Sequence, residues 1–349
     1  MNNFQINSNV KSILVFDGGN DKNAFVTFLI PTFGRYDTLF RTLDSISNQK
    51  QVDVSYNIIV IDNNSDLTCD EGFVILLRKY RNLRYYVNEK NIGMFGNWNR
   101  GIELSTTKII SMIHDDDTIF SDYLIRLKKI FKQLNCQNFC YIKTRSTNAL
   151  DDEGKISVKK YSFLKKFVKK MFKSKIIPLN KKYVDYVGDY GILGAPSCGT
   201  ILNKEAIISA GGYSNEYYPS SDAVIFFNLL DKYKAFETIG DFGYRFYGKN
   251  ESCKFETMQG FLKQYLFMQD KLATLSKHGK KIITKYKDVQ VQLYIDNLKQ
   301  FPESSGMKIR YDSFKDIYCF EPKTFKCFCF KLKKKIYRSL YMFIYTLFM

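Results

Sequence analysis

The chain has 349 residues, of which 45% are hydrophobic, and its 53 Lys and Arg against 35 Asp and Glu give a formal net charge of +18. This size fits one large α/β domain with a smaller appendage. The excess of positive charge predicts an anionic partner, which could be nucleic acid, acidic lipid or a phosphorylated substrate. No zinc-finger spacing or aromatic RNA-binding motif accompanies it, which argues against nucleic acid.

Cysteine usage and apolar patterning indicate the compartment. The eight cysteines form no CxxC pair and only two histidines are available, so a zinc site is not expected. Reduced thiols in a cytoplasmic protein are the simpler interpretation. Residues 1–24 lack the pattern of a secretory signal, and no run of about 18 apolar residues predicts a membrane-spanning helix.

The first half of the chain alternates short apolar runs with amphipathic ones. The predicted elements are a strand over 25–30 that stops at Pro31, a helix over 36–47, a strand over 57–61, a helical segment, a strand over 83–87, a helix ending near 104 and a strand over 108–113. This alternation predicts βαβ units and a parallel sheet. Ligands bind outside the carboxyl ends of such strands, so Thr32, Asp62 and Asp115–Asp117 should converge on one crevice.

The second half is less regular. Residues 155–182 are rich in lysine, and their apolar residues recur at helical spacing. A short strand is predicted at 199–202, a buried helix at 222–231 and mainly helices after about 254. The tail over 323–349 combines basic residues with many Phe, Tyr, Leu and Ile and contains no acidic residue.

Three consecutive aspartates at a strand end, Asp115 to Asp117, indicate a binding site for a divalent cation. Like charges this close raise one another's pKa, and a cation removes that cost. Carboxylate oxygens suit Mg²⁺ or Mn²⁺, which also bind substrate phosphates. The alternative is N-capping of a helix predicted over 121–133. The string from Asp62 to Asp66 has ordinary turn chemistry, and only its place after a strand favours a role in binding.

An ordered set of motifs resembles family 2 of the glycosyltransferases, which have the GT-A fold. The motifs are IPTFGR (30–35), VIDNNSD (60–66), NIG (91–93) with Asn97 and Asn99, HDDD (114–117), GAPSCG (194–199), AGGY (210–213), SD (221–222), YR (244–245), Asn250 and Ser252. No single motif is decisive, but together they cover residues 25 to about 252 in the order and spacing of the family.

The resemblance implies a role for each matching residue. The implied substrate-binding residues are Pro31, Thr32, Arg35, Asp62, Asn63, Asn91, Gly93, Asp115, Asp117 and Ser221. Within this set the loop after the first strand would line the nucleotide pocket, Asp62 would bind the base, Asp115 would lie at the ribose or diphosphate, and Asp117 would orient the sugar or cap the next helix. Asp116 would be the principal ligand of Mn²⁺ or Mg²⁺, and Asp222 the general base that deprotonates the acceptor hydroxyl.

Two positions depart from the family pattern. Ser221 stands where the family usually has Glu, and Tyr247 where it often has His. Tyr is a poor ligand for Mg²⁺ or Mn²⁺, so a third metal ligand is left open and water could take its place. For Asp222 alone, capping of the helix that follows is the competing interpretation.

The basic, aromatic segments at 155–182 and from 323 onward predict association with an anionic membrane. A solvated helix is the alternative for the first segment. A tail that packs back onto the catalytic domain is the alternative for the second.

Taken together, the sequence predicts an α/β GT-A fold with a mainly parallel, helix-flanked sheet and a C-terminal helical extension. The expected domains are a catalytic domain over 1–253, with a nucleotide-sugar half over about 25–135 and an acceptor half over about 136–253, and a helical region over 254–349. The expected activity is the inverting transfer of a hexose from a nucleotide sugar to a polyprenyl-diphosphate-linked saccharide. The resemblance favours a UDP-sugar as the donor, because that is the commoner donor in the family. The reaction is expected at the cytoplasmic face of the cell membrane. The alternative is a catalytically silent nucleotide- or sugar-binding module that recruits partners to a membrane. A nucleotidyltransferase would show a glycine-rich, basic signature after the first strand, which is absent here.

Overall fold

The computed structural model describes most of the chain. The described residues are 2–66, 71–135, 138–152, 155–158, 170–187, 193–194, 198–247, 255–275, 280–281, 288–289, 291–293 and 324–348. The strands are Ser12–Asp17 (β1), Val26–Thr32 (β2), Tyr56–Asp62 (β3), Leu83–Asn88 (β4), Ile109–Ile113 (β5), Thr118–Ile119 (β6), Phe139–Asp152 (β7), Lys155–Val158 (β8), Ile176–Leu179 (β9), Cys198–Asn203 (β10) and Lys234–Tyr247 (β11). The helices are Tyr36–Ser47 (α1), Glu71–Leu77 (α2), Gly93–Leu104 (α3), Tyr123–Leu134 (α4), Lys181–Val187 (α5), Lys204–Ser209 (α6), Ser221–Leu229 (α7), Phe255–Leu275 (α8) and Thr324–Phe348 (α9).

The strands form one sheet in the order β1-β4-β3-β2-β5-β10-β7-β11-β6. The strands β4, β3, β2 and β5 are parallel, as predicted for the first half. Strand β1, which was not predicted, adds an antiparallel edge beside β4. In the second half β10 runs antiparallel to β5 and β7, while β11 runs parallel to β7. The predicted α/β fold, with a central sheet flanked by helices, is confirmed.

The central strands are buried on both faces because helices cover both sides of the sheet. Every residue of β2 is buried, which explains its nearly continuous apolar sequence. Successive side chains of a strand point to opposite faces, so Leu29 packs in one core and Phe28 and Ile30 in the other. Helix α3 lies so close to the sheet that a Cβ atom on Gly101 would come within 2.4 Å of Leu29 Cδ1.

The lysine-rich segment contains strands where a helix was predicted. Strand β8 pairs with β7, and β9 pairs with β11, so the helical prediction is wrong at 155–158 and 176–179. Residues 159–169 lie outside the described part of the chain. These strands were missed because the sequence showed only apolar residues at helical spacing, whereas β8 is fixed by pairing with the preceding β7 and β9 by pairing with β11, which is distant in sequence.

The C-terminal helices pack onto the part of the chain that contains the sheet. Helix α8 contributes the buried Leu262 and Met268, and its Thr257 hydroxyl lies 3.4 Å from the Tyr218 hydroxyl. Helix α9 reaches β9 and α5, where the Tyr341 ring stacks on Tyr183 at 3.9 Å. The tail therefore contacts the domain along one face, which was the alternative to a purely membrane-facing tail. Among the described helices, none is both long enough and apolar enough to span a bilayer.

Candidate functional site

The strand ends of β2 and β5 meet at one crevice, as the sequence predicts. The Thr32 hydroxyl donates a hydrogen bond to Asp115 Oδ2 at 2.6 Å. Asp115 is fully buried, and the neighbouring Asp116 is 8% exposed. Pro31 lies inside β2 rather than after it, paired in register with Ile61 of β3, so the strand continues to Thr32, two residues beyond its predicted end at residue 30.

Arg35 forms ion pairs with two of the three aspartates. Its Nε donates to Asp115 Oδ2 at 3.2 Å, its Nη2 to Asp115 Oδ1, and its Nη1 to Asp116 Oδ2 at 2.7 Å. Burial raises the pKa of Asp115 to about 7, although the Arg35 guanidinium opposes this and the Asp116 charge adds to it. Arg35 thus links the two carboxylates.

His114, Asp116 and Asp117 form a candidate metal centre. One potential ligand atom from each lies within 4.8 Å of the others. His114 Nε2 is buried and has no hydrogen-bond partner in the part of the chain that the structure describes. Burial lowers the pKa of His114 to about 4, so the imidazole is neutral near pH 7, which metal ligation requires. The residues present therefore fit a divalent cation.

Asp117 is held by the backbone of β11. Its Oδ1 accepts a hydrogen bond from the Phe246 N–H at 3.0 Å, and the residue is 1% exposed. Burial, together with the charge of Asp116, raises the pKa of Asp117 well above its usual range. The N-capping alternative is wrong for the aspartates, since β6 intervenes and α4 begins only at Tyr123.

Two further arginines approach the aspartates, and sequence reasoning gave neither of them a role. Arg41 Nη2 donates to the main-chain oxygen of Asp116 at 3.2 Å, and its guanidinium lies 4.0 Å from the ring centroid of Phe246. The charge of Arg245 opposes the rise in the Asp117 pKa that burial and Asp116 cause. The YR motif offered a signal for Arg245. Arg41 had no such signal, because it lies within a predicted helix in which a charged residue is ordinary.

Asp62 is fully buried, whereas its predicted hydrogen bond to a base needs an accessible carboxylate. It is 0% exposed, and its oxygens accept hydrogen bonds from the Tyr85 hydroxyl at 2.6 Å and the Asn64 N–H at 2.9 Å. Burial raises its pKa, and these hydrogen bonds oppose the rise. In this arrangement Asp62 shapes the turn after β3, and its contact with a base stays a prediction.

Asparagine side chains tie the ends of β3 and β4 to α3. Asn63 Nδ2 donates to Asn91 Oδ1 at 2.6 Å, and Asn88 Nδ2 donates to Asn63 Oδ1 at 3.1 Å and to Asn97 Oδ1 at 2.9 Å. Gly93 has a φ of +75°, which L side chains rarely adopt, and its N–H donates to Asn91 Oδ1 at 2.8 Å. The structure thus brings Asn63, Asn91 and Gly93 together in one hydrogen-bonded loop, and their contact with a substrate stays a prediction.

Asp222 lies in the first turn of α7 and is half-buried. The helix begins at Ser221 with Ser220 as its N-cap residue, so the interpretation of Asp222 as the N-cap is wrong. Ser221 is buried, and its Oγ accepts a hydrogen bond from the Ser214 N–H at 2.7 Å. In this structure the Ser221 hydroxyl therefore fixes the loop before α7, and its contact with a substrate stays a prediction.

An aromatic bridge connects the neighbourhood of Asp222 with the candidate metal centre. The Trp98 ring lies 5.5 Å from that of His114 and 5.2 Å from that of Tyr213. Burial raises the pKa of Tyr213, and the Asp222 charge adds to the rise. The side chain of Tyr247, together with Asn250 and Ser252, lies outside the described residues.

Comparison with known proteins matches the sequence of this chain to one family. The model of glycosyl transferase family 2 matches residues 27–207, which is just over half of the chain. A poly(ribitol-phosphate) β-N-acetylglucosaminyltransferase, TarP of Staphylococcus aureus, is 28% identical over 169 residues, 45% of this chain and 51% of that protein. A GalNAc(5)-diNAcBac-PP-undecaprenol β-1,3-glucosyltransferase of Campylobacter jejuni is 29% identical over 103 residues, 29% of this chain and 33% of its own length. The chain thus spans about half or less of these curated relatives.

Solved structures share the fold at low identity. TarS 1–349 of S. aureus in complex with UDP-GlcNAc has a TM-score of 0.51 at 12% identity, covering 82% of this chain and 77% of that one. A mannosyltransferase of Pyrobaculum calidifontis in complex with GDP-Man and Mn²⁺ has a TM-score of 0.51 at 11% identity, covering 91% and 88%.

Proposed function

This chain belongs to glycosyl transferase family 2, and we propose that it transfers a hexose, with inversion, from a UDP-sugar to an acceptor hydroxyl. The observation that carries the proposal is the cluster of His114, Asp116 and Asp117 beside the arginines Arg35 and Arg41. Such a cluster offers oxygen and nitrogen ligands to a cation and positive charge to a diphosphate, which are the two requirements of a nucleotide-sugar site.

His114, Asp116 and Asp117 would hold the cation. An imidazole with two carboxylates suits Mn²⁺ better than Mg²⁺, which prefers oxygen ligands alone, and the P. calidifontis enzyme of the same fold was solved with Mn²⁺. When bound, the cation offsets negative charge on the departing nucleoside diphosphate. The Arg35 guanidinium, which is planar, would suit bidentate contact with a phosphate as it does with a carboxylate.

The strand ends around Thr32 and Asp62 would bind the nucleoside. Pro31 and Thr32 would form the floor of the crevice, and the hydrogen-bonded loop from Asn91 to Gly93 would form its rim. The hydrogen bonds within that loop support binding, because a loop held in this way loses less conformational freedom when the ligand arrives. Asp115, paired with Arg35, would contact the ribose or diphosphate side, and Asp117 would orient the sugar.

Asp222 would act as the general base. An acid in the first turn of α7 meets the positive end of the helix dipole, which favours the ionised form that must accept a proton. The Asp222 charge acts on Tyr213, and the Tyr213 ring contacts Trp98 beside His114, which supports a place for Asp222 near the candidate metal centre. Inversion needs one base opposite the leaving group, and Asp222 can fill that role without help from Ser221.

The acceptor we propose is a polyprenyl-diphosphate-linked saccharide of a surface polysaccharide. The C. jejuni relative is named for a PP-undecaprenol-linked substrate, and the TarP relative for poly(ribitol-phosphate); both are anionic. The net charge of +18 is compatible with acceptors of that kind. The protein would then work peripherally at the inner face of the cell membrane. A catalytic domain over 1–253 and a helical region over 254–349 would divide these tasks.

A donor panel tests the proposal. The purified full-length chain is incubated with UDP- and GDP-sugars, Mn²⁺ and a soluble diphosphate-linked saccharide, and nucleoside diphosphate release is measured. Transfer or slow hydrolysis of at least one donor, lost in Asp116→Asn, is expected. Absence of turnover with every donor, in a protein that melts cooperatively, would contradict the proposal.

A further inference from the structure

Helix α9 has apolar residues on two opposite faces, one of which is buried and the other exposed to solvent. Cys327 and Phe330 on its inner face are 5% and 2% exposed. The outer face carries an apolar stripe, formed by Phe325, Phe328, Leu332, Ile336, Leu340 and Phe343, whose members are 47–80% exposed. These residues follow one another at intervals of three or four, which places them on one side of the helix.

Contacts of the inner face fix the direction of the apolar stripe. Arg338 Nη2 lies 3.0 Å from Glu237 Oε1 of β11. The Tyr341 hydroxyl donates to the Pro178 main-chain oxygen at 2.8 Å, and its ring stacks on Tyr183. Because these contacts come from separate parts of the domain, the helix cannot rotate about its axis without losing them. The apolar stripe therefore points away from the domain.

Lysines flank the apolar stripe on both sides. Lys331 and Lys335 follow one edge and are exposed, while Lys333 lies along the other. No acidic residue occurs between 323 and 349. Long basic side chains can extend from such positions to headgroups while neighbouring apolar groups enter the acyl boundary. The same lysines would repel a second copy of the helix laid against the apolar stripe.

We propose that the apolar stripe of α9 lies in the interface of a bilayer that contains anionic lipid, while the inner face of the helix remains docked on the catalytic domain. The sequence alone predicted that this basic, aromatic tail either associates with an anionic membrane or packs back onto the catalytic domain. The structure instead divides the apolar residues between the domain and the lipid and leaves the lysines at the boundary. The inference extends the proposed membrane-side role, and its test needs no sugar transfer.

Cosedimentation with vesicles tests the inference. The variant Leu332→Gln/Ile336→Gln/Phe343→Gln should bind phosphatidylcholine vesicles containing phosphatidylglycerol at least about tenfold more weakly than wild type, because three apolar side chains no longer enter the lipid. The matched control is Ile75→Gln/Leu76→Gln on α2, whose side chains are 53% and 51% exposed; it should bind as wild type does.

The dependence of vesicle binding on charge and the oligomeric state of the protein are measured in parallel. Wild type should bind phosphatidylcholine alone more weakly, and salt should weaken binding to the mixed vesicles by screening. Both variants should keep the wild-type melting temperature, since the replaced side chains are exposed. Equal vesicle binding by wild type and the α9 variant would overturn the inference, as would a wild-type dimer in light scattering that the α9 variant converts to monomer. A protein that binds vesicles through α9 but transfers no sugar would leave this inference standing and remove the proposed function.

Discussion

Replacing Glu237 by Gln should destabilise the fold at neutral pH, and the loss should shrink in acid. Glu237 is 1% exposed in β11 and accepts hydrogen bonds from Arg145 at 3.1 Å on each oxygen. Arg338 of α9 adds contacts at 3.0 and 3.3 Å. A buried carboxylate with two arginines is stabilising only while all three charges are present, because removing one leaves the others desolvated without a partner.

The magnitude follows from the pKa of Glu237. Burial alone would raise that pKa, but the charges of Arg145 and Arg338 overcome this and lower it from 4.5 to about 2. The gap corresponds to about 3 kcal/mol of unfolding free energy, at about 1.4 kcal/mol for each tenfold change in proton affinity. Since the folded-state pKa is the lower one, this contribution is fully present above about pH 4.5 and is lost as the pH falls toward 2.

Urea unfolding at several pH values measures the effect. At pH 7, Glu237→Gln should lower the unfolding free energy by about 3 kcal/mol, and the difference from wild type should decline as the pH falls below 4.5. Glu205→Gln is the control, because that carboxylate is 69% exposed beside Lys108 and should matter little at either pH. A Glu237→Gln protein as stable as wild type at pH 7, or a difference that does not change with pH, would refute the reasoning.

Three further substitutions test separate parts of the account. Asp222→Asn should lower kcat by roughly 10²–10⁴ with donor affinity nearly unchanged, and an unaltered kcat would remove Asp222 as the base. Arg35→Gln should enlarge the rise in melting temperature that Mn²⁺ causes, since the cation no longer displaces an ion pair from Asp116; an equal rise would contradict the pairing. Gly101→Ala should cost about 1–3 kcal/mol in urea unfolding, because its Cβ would lie 2.4 Å from Leu29 Cδ1, and a stabilised variant would contradict the close packing of α3.

The first half of the fold could be predicted because the patterns that indicate its strands and helices are local in the sequence. Helix α1 spans Tyr36–Ser47 as predicted, since Leu39, Leu43 and Ile46 recur at helical spacing and are buried. Strands of a parallel sheet that is covered on both faces are continuous apolar runs, which are visible in the sequence. Because the ends of such strands share one edge, the meeting of Thr32 with Asp115 also followed.

The remaining features depend on contacts between distant parts of the chain. Strand β9 forms because β11, which is distant in sequence, lies beside it, and no local pattern reports this. Arg35 was predicted to line the nucleotide pocket, but its pairing with Asp115 and Asp116 across 80 and 81 residues could be seen only in three dimensions. His114 was missed as a candidate metal ligand for the same reason, although its place directly before the aspartates was a usable signal.

The central claim is that His114, Asp116 and Asp117 hold a divalent cation that the donor needs. Calorimetric titration of UDP into the full-length chain, with and without Mn²⁺, measures this directly. We expect UDP affinity to rise at least about tenfold with Mn²⁺ in wild type, and the rise to vanish in Asp116→Asn while the melting temperature without metal stays within a few degrees of wild type. Equal UDP affinity with and without Mn²⁺ in wild type, or an undiminished Mn²⁺ effect in Asp116→Asn, would contradict the account.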